Sequence, residues 1–265
     1  MNKFADRYGP YAVIAGASEG IGACFARALA EKGLDLVLIS RSEAKLAPLA
    51  EEIRSQSGRD VRYLGLDLSD PASLEKIKLQ TSDLEVGTLI YNAGAETRPP
   101  MQMVDGDLDW FRYLIAVNVT GPLVLAQHFG RKLRARGRGS IVLLGSLAGC
   151  CGSYYNMVYS ATKAFEHTLA EGLWSELEPH GIHVVGLILG LTDTPALRRN
   201  RPQIDFSLAM KPEAIVRSVL ERLGEGPILF PEGLETFAAE SMKLPRRPIV
   251  ERARESVKQF YKGKT

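Results

Sequence analysis

YAVIAGASEGIGACFARALAEKG, residues 11–33, decides the architecture. YAVIAG is a continuous apolar run ended by Gly16, the pattern of a strand buried on both faces. Ile21, Phe25, Ala28 and Leu29 then fall on one helical face, and Gly33 stands where a C-cap belongs. A strand therefore enters a helix through a turn that holds Gly16, Gly20 and Gly22.

The same alternation repeats outward. LDLVLIS (34–40), VRYLGLDL (61–68), TLIYNAG (88–94), SIVLLGS (140–146), IHVVGLILG (182–190) and GPILFP (226–231) read as further strands. Helices are expected over 43–58, 71–80, 107–137, 157–181 and 212–223, with a kink where Pro122 interrupts the third of these. Strand and helix in strict alternation mean parallel strands with helical crossovers. The expected fold is α/β: a doubly wound, Rossmann-type parallel sheet of about seven strands in one domain, 1–265. The polar, irregular stretch 192–211 follows the sixth strand, at the sheet edge where such folds bind ligands, and reads as a substrate lid. A basic, helix-like tail occupies 245–265.

Composition removes several classes of function. The 265 residues are 45% hydrophobic, enough for a packed core. Lys and Arg number 33 against 31 Asp and Glu, too balanced for a binder that relies on phosphate charge, so no nucleic acid partner is expected. Cys24, Cys150 and Cys151 lack disulfide or zinc spacing, and no metal is expected; a reducing cytoplasm is the simplest compartment. No apolar run reaches the ~18 residues of a membrane span.

The glycine turn lets backbone N–H groups approach a pyrophosphate, with the positive end of a helix behind it. Gly16, Ser18, Glu19, Gly20, Ile21 and Gly22 are therefore candidates to hold a dinucleotide. An NAD site of this kind ends its second strand on a carboxylate that binds the ribose hydroxyls. Here Ser40-Arg41 stands instead, a hydroxyl and a guanidinium suited to a 2′-phosphate, which favours NADP(H). Asp67, beside Leu68 after the third strand, admits two roles: acceptor for the adenine amino group, or turn former.

Tyr159 and Lys163 lie four apart, on one helix face. An adjacent ammonium favours tyrosinate, which suits a tyrosine to exchange a proton with a carbonyl or alcohol oxygen near neutral pH. Ser146 ends the fifth strand, at the same sheet edge, where its hydroxyl can polarise that oxygen.

Taken in order, GASEGIG (16–22), Asn92-Ala93-Gly94, Asn118, Ser146 and YSATK (159–163) resemble the short-chain dehydrogenase/reductase family, over nearly the whole chain. The resemblance implies that Tyr159 is the acid/base and that Lys163 holds the nicotinamide ribose and lowers the tyrosine pKa. It implies that Ser146 orients the carbonyl and Asn118 holds a water in a relay through Lys163. Asn92, Ala93 and Gly94 would pack beneath the cofactor, and Thr194, with Thr192 nearby, would contact the nicotinamide amide. Two departures stand out: Ala15 where the family often has Thr, and Leu189-Gly190 in place of Pro-Gly. RYGPYAVIAGAS and LVLISRSEAKL are similar to the branch that includes 17-beta-hydroxysteroid dehydrogenases and reduces keto-steroids and long-chain 3-ketoacyl groups. The family also implies a homodimer or homotetramer, with the two long central helices as the interface.

The expected activity is hydride transfer between NADP(H) and a small-molecule ketone, keto-steroid, 3-ketoacyl group or secondary alcohol. The rivals are a non-enzymatic NADP-binding sensor and an interaction module on the same fold. Arg198, Arg199 and Arg201 in the lid read either as a solvated charged loop or as an anion site for an acyl thioester. Cys150 and Cys151 read as small packing residues, and one of Tyr154 and Tyr155 is expected to line the pocket. His128, His167, His180 and His183 suggest only core or surface roles.

Overall fold

The computed structural model describes residues 2–96, 102–231, 233–236, 239, 243 and 245–261, so the tail expectation for 262–265 lies outside the described residues. Seven strands form one sheet: β1 (Tyr11–Ala15), β2 (Asp35–Ser40), β3 (Val61–Gly65), β4 (Val86–Tyr91), β5 (Gly139–Ser146), β6 (Ile182–Leu189) and β7 (Ile228–Leu229). Their order is β3-β2-β1-β4-β5-β6-β7, and every pairing is parallel. This is the doubly wound sheet expected from the alternation, with its order reversing between β1 and β4.

Both sheet faces are covered, which is why the strands read as unbroken apolar runs. On one face Ile14, Leu38, Val142 and Leu187 pack with Phe25 and Leu29 of α2 (Gly20–Glu31), Leu46 of α3 (Glu43–Ser57) and Val219. Their neighbours along the strands, Val13, Val37, Leu89 and Leu143, point the other way. They meet Ile77 of α4 (Pro71–Gln80), Phe129 of α6 (Gly121–Arg136) and Ala170 of α7 (Met157–Leu177). Phe25 and Phe129 are fully buried. Truncating either to Ala should cost roughly 3–5 kcal/mol.

Around this frame α1 (Lys3–Tyr8), which hydropathy does not announce, precedes β1, and α5 (Leu108–Ile115) leads toward α6. In the lid region α8 (Pro195–Asn200) supplies a short helix, and α9 (Pro212–Glu221) follows. The basic tail is α10 (Arg246–Tyr261). Thr192 pairs with Met210, so the excursion 193–209 leaves and returns at one point, as a flap does.

The expected kink at Pro122 is a π-helical turn, Ala116–Thr120, just before it. In this register the Gly121 N–H reaches the Ala116 carbonyl. The next donor, for the Val117 carbonyl, would be residue 122, and proline has none. The Tyr91 hydroxyl fills the gap, donating to the Val117 carbonyl at 2.6 Å. Gly121 is needed at this contact, because a Cβ there would overlap the Tyr91 hydroxyl.

Candidate active site

The glycine turn is built on the carboxyl end of β1. Gly16 has φ +85°, and its N–H donates to the Ile39 carbonyl at 2.7 Å. A Cβ on Gly16 would lie 2.6 Å from the Ala93 nitrogen, and one on Gly22 would overlap the Gly16 carbonyl oxygen. Asn92 completes the cradle from β4: its Nδ2 donates to that same carbonyl at 2.6 Å, and its backbone N–H to Ala15 at 2.9 Å. Gly20, with φ +58°, opens α2 and packs against the Thr194 methyl group. Ser18 is partly buried in the turn, and Ile21 turns inward to the core. Glu19 occupies the N-cap position of α2 without capping it. Its carboxylate bonds to Arg199 of α8 and to Lys45 of α3 at 2.8 Å, and the Arg199 bond holds it below the usual carboxylate range.

At the end of β2, Arg41 is exposed, and its Nη1 donates to the Tyr113 hydroxyl of α5 at 2.7 Å. Ser40 is buried, and its Oγ accepts from the Ser42 N–H at 3.3 Å. Asp67 makes a turn, with Oδ1 accepting from the Ser69 backbone (2.9 Å) and hydroxyl (2.8 Å). Leu68 beside it is buried.

Asn118 sits in the π turn with no exposed surface. Its Oδ1 accepts from the Ala95 N–H, and its Nδ2 donates to the Ala95 carbonyl, each at 2.9 Å, and to Thr162 Oγ1 at 3.0 Å. It thus ties α7 to the segment after β4. Lys163 comes to the same place: a Cβ built on the exposed Gly94 would be in ordinary contact with the lysine Nζ and Asn118 Oδ1. The Lys163 ammonium itself lies 5.8 Å from the Tyr159 ring centroid. Gly94, Asn118 and the Tyr159–Lys163 pair, brought from three separate stretches of sequence, therefore meet at the switch point. Ser146 ends β5 nearby, its Oγ accepting from the Ala148 N–H at 3.2 Å.

Two residues in contact with this cluster were not named from the sequence as part of it. His167, expected only in core or surface, packs against Gly145 and Gly149, and its Nε2 accepts from the Ser146 N–H at 3.3 Å. Burial, reinforced by the Lys163 charge, pushes this histidine down to about 4, so it is a neutral acceptor at neutral pH. Glu166 is 1% exposed, and its carboxylate takes two bonds from the Lys163 ammonium, at 2.8 and 3.0 Å. The third goes to the Leu144 carbonyl at 2.7 Å. Burial works against the Lys163 charge, but Glu166 and Tyr159 outweigh it and hold the lysine above its ordinary range. Burial lifts Glu166 to about 7, against the pull of Lys163. Their i,i+3 spacing on α7 was the available signal; the strand ends that bury them were not visible in it.

Around the site, the three lid arginines face the chain's own carboxylates: Arg198 on Asp193, Arg199 on Glu19, and Arg201 at 3.9 Å from Glu96. Thr194 caps α8, accepting from the Leu197 N–H at 3.2 Å, and Thr192 is buried with its hydroxyl on the Gly190 carbonyl. Tyr155 has φ +61° in the loop between Ser146 and Tyr159, a conformation that costs a bulky residue about 1–3 kcal/mol and clusters at ligand sites. The tail reaches the same loop, Arg246 donating to the Cys150 carbonyl at 3.1 Å.

The chain is similar to known proteins over most of its length. A family model described as short chain dehydrogenase matches residues 10–205. A 7beta-hydroxysteroid dehydrogenase of Clostridium sardiniense is 31% identical over 224 residues, 84% of this chain and 85% of that protein. A very-long-chain 3-oxoacyl-CoA reductase of Podospora anserina is 34% identical over 82% of this chain, which spans 64% of the fungal protein's length. The solved structure of a short-chain dehydrogenase from Sphingobium yanoikuyae in complex with NADPH superposes with a TM-score of 0.79 at 30% identity, covering 97% of this chain and 96% of that one. The chain is an oxidoreductase and belongs to the short-chain dehydrogenase/reductase family.

Proposed function

We propose that the chain is a single-domain, NADP(H)-dependent carbonyl reductase or secondary alcohol dehydrogenase, with Tyr159 as general acid/base. The observation that carries this reading is the meeting of Lys163 and Asn118 at the exposed Gly94, with the Tyr159 ring near the Lys163 ammonium and Ser146 ending the strand whose Leu144 carbonyl that ammonium bonds. A sensor would need no such set. NADP(H) fits the residues present, because the cradle of Gly16, Gly22, Asn92 and Ala93 has no room for another Cβ, and the exposed Arg41 is available to a 2′-phosphate. The NADPH complex of the Sphingobium relative supports the same choice. When bound, the cofactor supplies or accepts the hydride.

The chain's own groups handle the proton and the substrate oxygen. Ser146 Oγ accepts from Ala148 and so keeps its O–H to donate to a carbonyl. Tyr159 gives that oxygen its proton in reduction, or takes one in oxidation. Asn118 holds α7 in register with the chain after β4, and Lys163, beside Gly94, would hold the cofactor's ribose hydroxyls. Because the lid arginines are occupied by carboxylates, an uncharged bulky ketone such as a keto-steroid is favoured over an acyl thioester. The named activity of the fungal relative keeps 3-ketoacyl thioesters as the second reading.

The proposal includes a homodimer or homotetramer and a cytoplasmic location. Leu108, Ile115 and Leu123, on α5 and α6, are 59%, 45% and 46% exposed, the kind of surface a second copy would cover. All three cysteines are unpaired, as a reducing compartment would keep them. No helix among the described residues is long and apolar enough to cross a membrane. The test is NADPH oxidation against ketones, keto-steroids and 3-ketoacyl thioesters, with Tyr159→Phe alongside. Turnover lost in the variant is the expected result; turnover that survives it would overturn the assignment of the acid/base.

A further inference from the structure

Glu166 is a costly residue for its position. It lies on α7 between Thr162 and Ala170, both buried, where an apolar side chain would complete the packing. An ion pair taken out of water seldom recovers its desolvation cost relative to apolar residues of similar volume. Lys163 and Glu166 have side chains only 7% and 1% exposed, so this cost is borne at the lysine of the candidate active site. An ammonium has three N–H donors. The Leu144 carbonyl and both Glu166 oxygens lie within bonding distance of that ammonium, so the strand end and the carboxylate together fix where it sits.

We propose that Glu166 is a positioning residue: a built-in counter-charge that holds the Lys163 ammonium against β5 and tempers its field at Tyr159, so that the tyrosine keeps its proton for delivery to a carbonyl. The inference rests on the reading of Tyr159 as the proton donor. The groups facing the pair are few. Tyr159 and His167 lie on α7 itself, and His167 feels the lysine charge. From β4 comes Tyr91, whose phenol is held protonated by burial and by the Glu166 charge. Asn118 faces the pair's neighbour Thr162 with a neutral amide. Among these, Lys163 is the one permanent cation and Glu166 its one counter-charge. A proton on Glu166 turns the pair from neutral to cationic, and the phenolate of Tyr159 is then stabilised; loss of that proton has the opposite effect.

Glu166→Gln keeps the shape and removes the charge. The 265-residue chain, free of cofactor, is titrated by near-ultraviolet phenolate absorbance, and the curve of the same chain carrying Tyr159→Phe is subtracted. The difference curve reports Tyr159 alone. In Glu166→Gln its midpoint is expected to move to lower pH by roughly 1 unit, about a tenfold gain in phenolate at a given pH. The low-pH limb of alcohol oxidation should move the same way. A midpoint that stays in place, or rises, in a folded Glu166→Gln protein overturns the proposal. Glu166→Met, apolar and of similar volume, serves the same comparison if the amide proves unstable. The titration needs no substrate: turnover surviving Tyr159→Phe would sink the functional reading, and an unmoved midpoint would sink this one.

Discussion

Tyr91→Phe removes one buried oxygen and tests how the Asn118 turn is held. The hydroxyl donates to the Val117 carbonyl at 2.6 Å, in place of the N–H that Pro122 lacks. Tyr91 is 1% exposed, so water cannot take over, while phenylalanine fills the remaining space. A buried carbonyl left unpaired costs about 1–3 kcal/mol. For 265 residues the unfolding entropy is roughly 0.6 kcal/mol per degree, so Tm should fall by about 2–5 °C. The loss is structural first and catalytic second: a loosened π turn lets Asn118 drift from Ala95 and Thr162, and kcat should drop severalfold. Thermal melts followed by circular dichroism, with turnover on the same preparations, read both effects. A Tm within about one degree of wild type would refute the idea that Tyr91 replaces the missing proline donor.

Other expectations follow from the same geometry. Tyr159→Phe should lower kcat by roughly 10²–10⁴-fold in steady-state assays, the share of a general acid, with cofactor affinity measured by fluorescence little changed. Arg41→Ala should weaken NADPH binding by about 10- to 100-fold and leave NADH binding nearly unaltered, the loss of a charge-assisted phosphate contact; equal losses for both would argue against the 2′-phosphate assignment. Gly22→Ala drives a methyl group into the Gly16 carbonyl and should abolish tight cofactor binding in calorimetry while the protein stays folded. The pH dependence of stability has two opposed parts. His167 is depressed from 6.5 to about 4, so stability falls as pH drops through that window; Glu166 is raised from 4.5 to about 7, so stability falls as pH rises through its own. His167→Gln removes the first slope, and urea midpoints across pH 4.5–7 should then decline as pH rises.

The sheet was legible because its signal is local. The central strands are buried on both faces, so the alternation of strand and helix periods announced element type and parallel pairing. The glycine turn was equally plain, since Gly16 and Gly22 answer to backbone contacts that any side chain would spoil. What stayed hidden depends on juxtaposition. The π turn comes from a proline, a tyrosine 31 positions upstream and a glycine that lets them meet. His167 acquires its role only because β5 ends against α7, and Arg198, Arg199 and Arg201 find their partners in Asp193, Glu19 and Glu96. The path of α10 to the Cys150 carbonyl is likewise a matter of docking rather than pattern.

The helix α7 carries Tyr159, Lys163, Glu166 and His167, and through His167 it also grips the strand end that presents Ser146. On the proposed reading the proton-handling side chains are thereby carried by one helix, while the loop holding Tyr155 and the flap closed by Thr192 and Met210 are separate segments proposed to meet the substrate. Under that proposal, chemistry and substrate choice would be inherited on separate parts. Recombining those two loops among relatives should yield enzymes that choose different ketones yet share one pH profile, and substrate range in this lineage can drift without the reaction being reinvented.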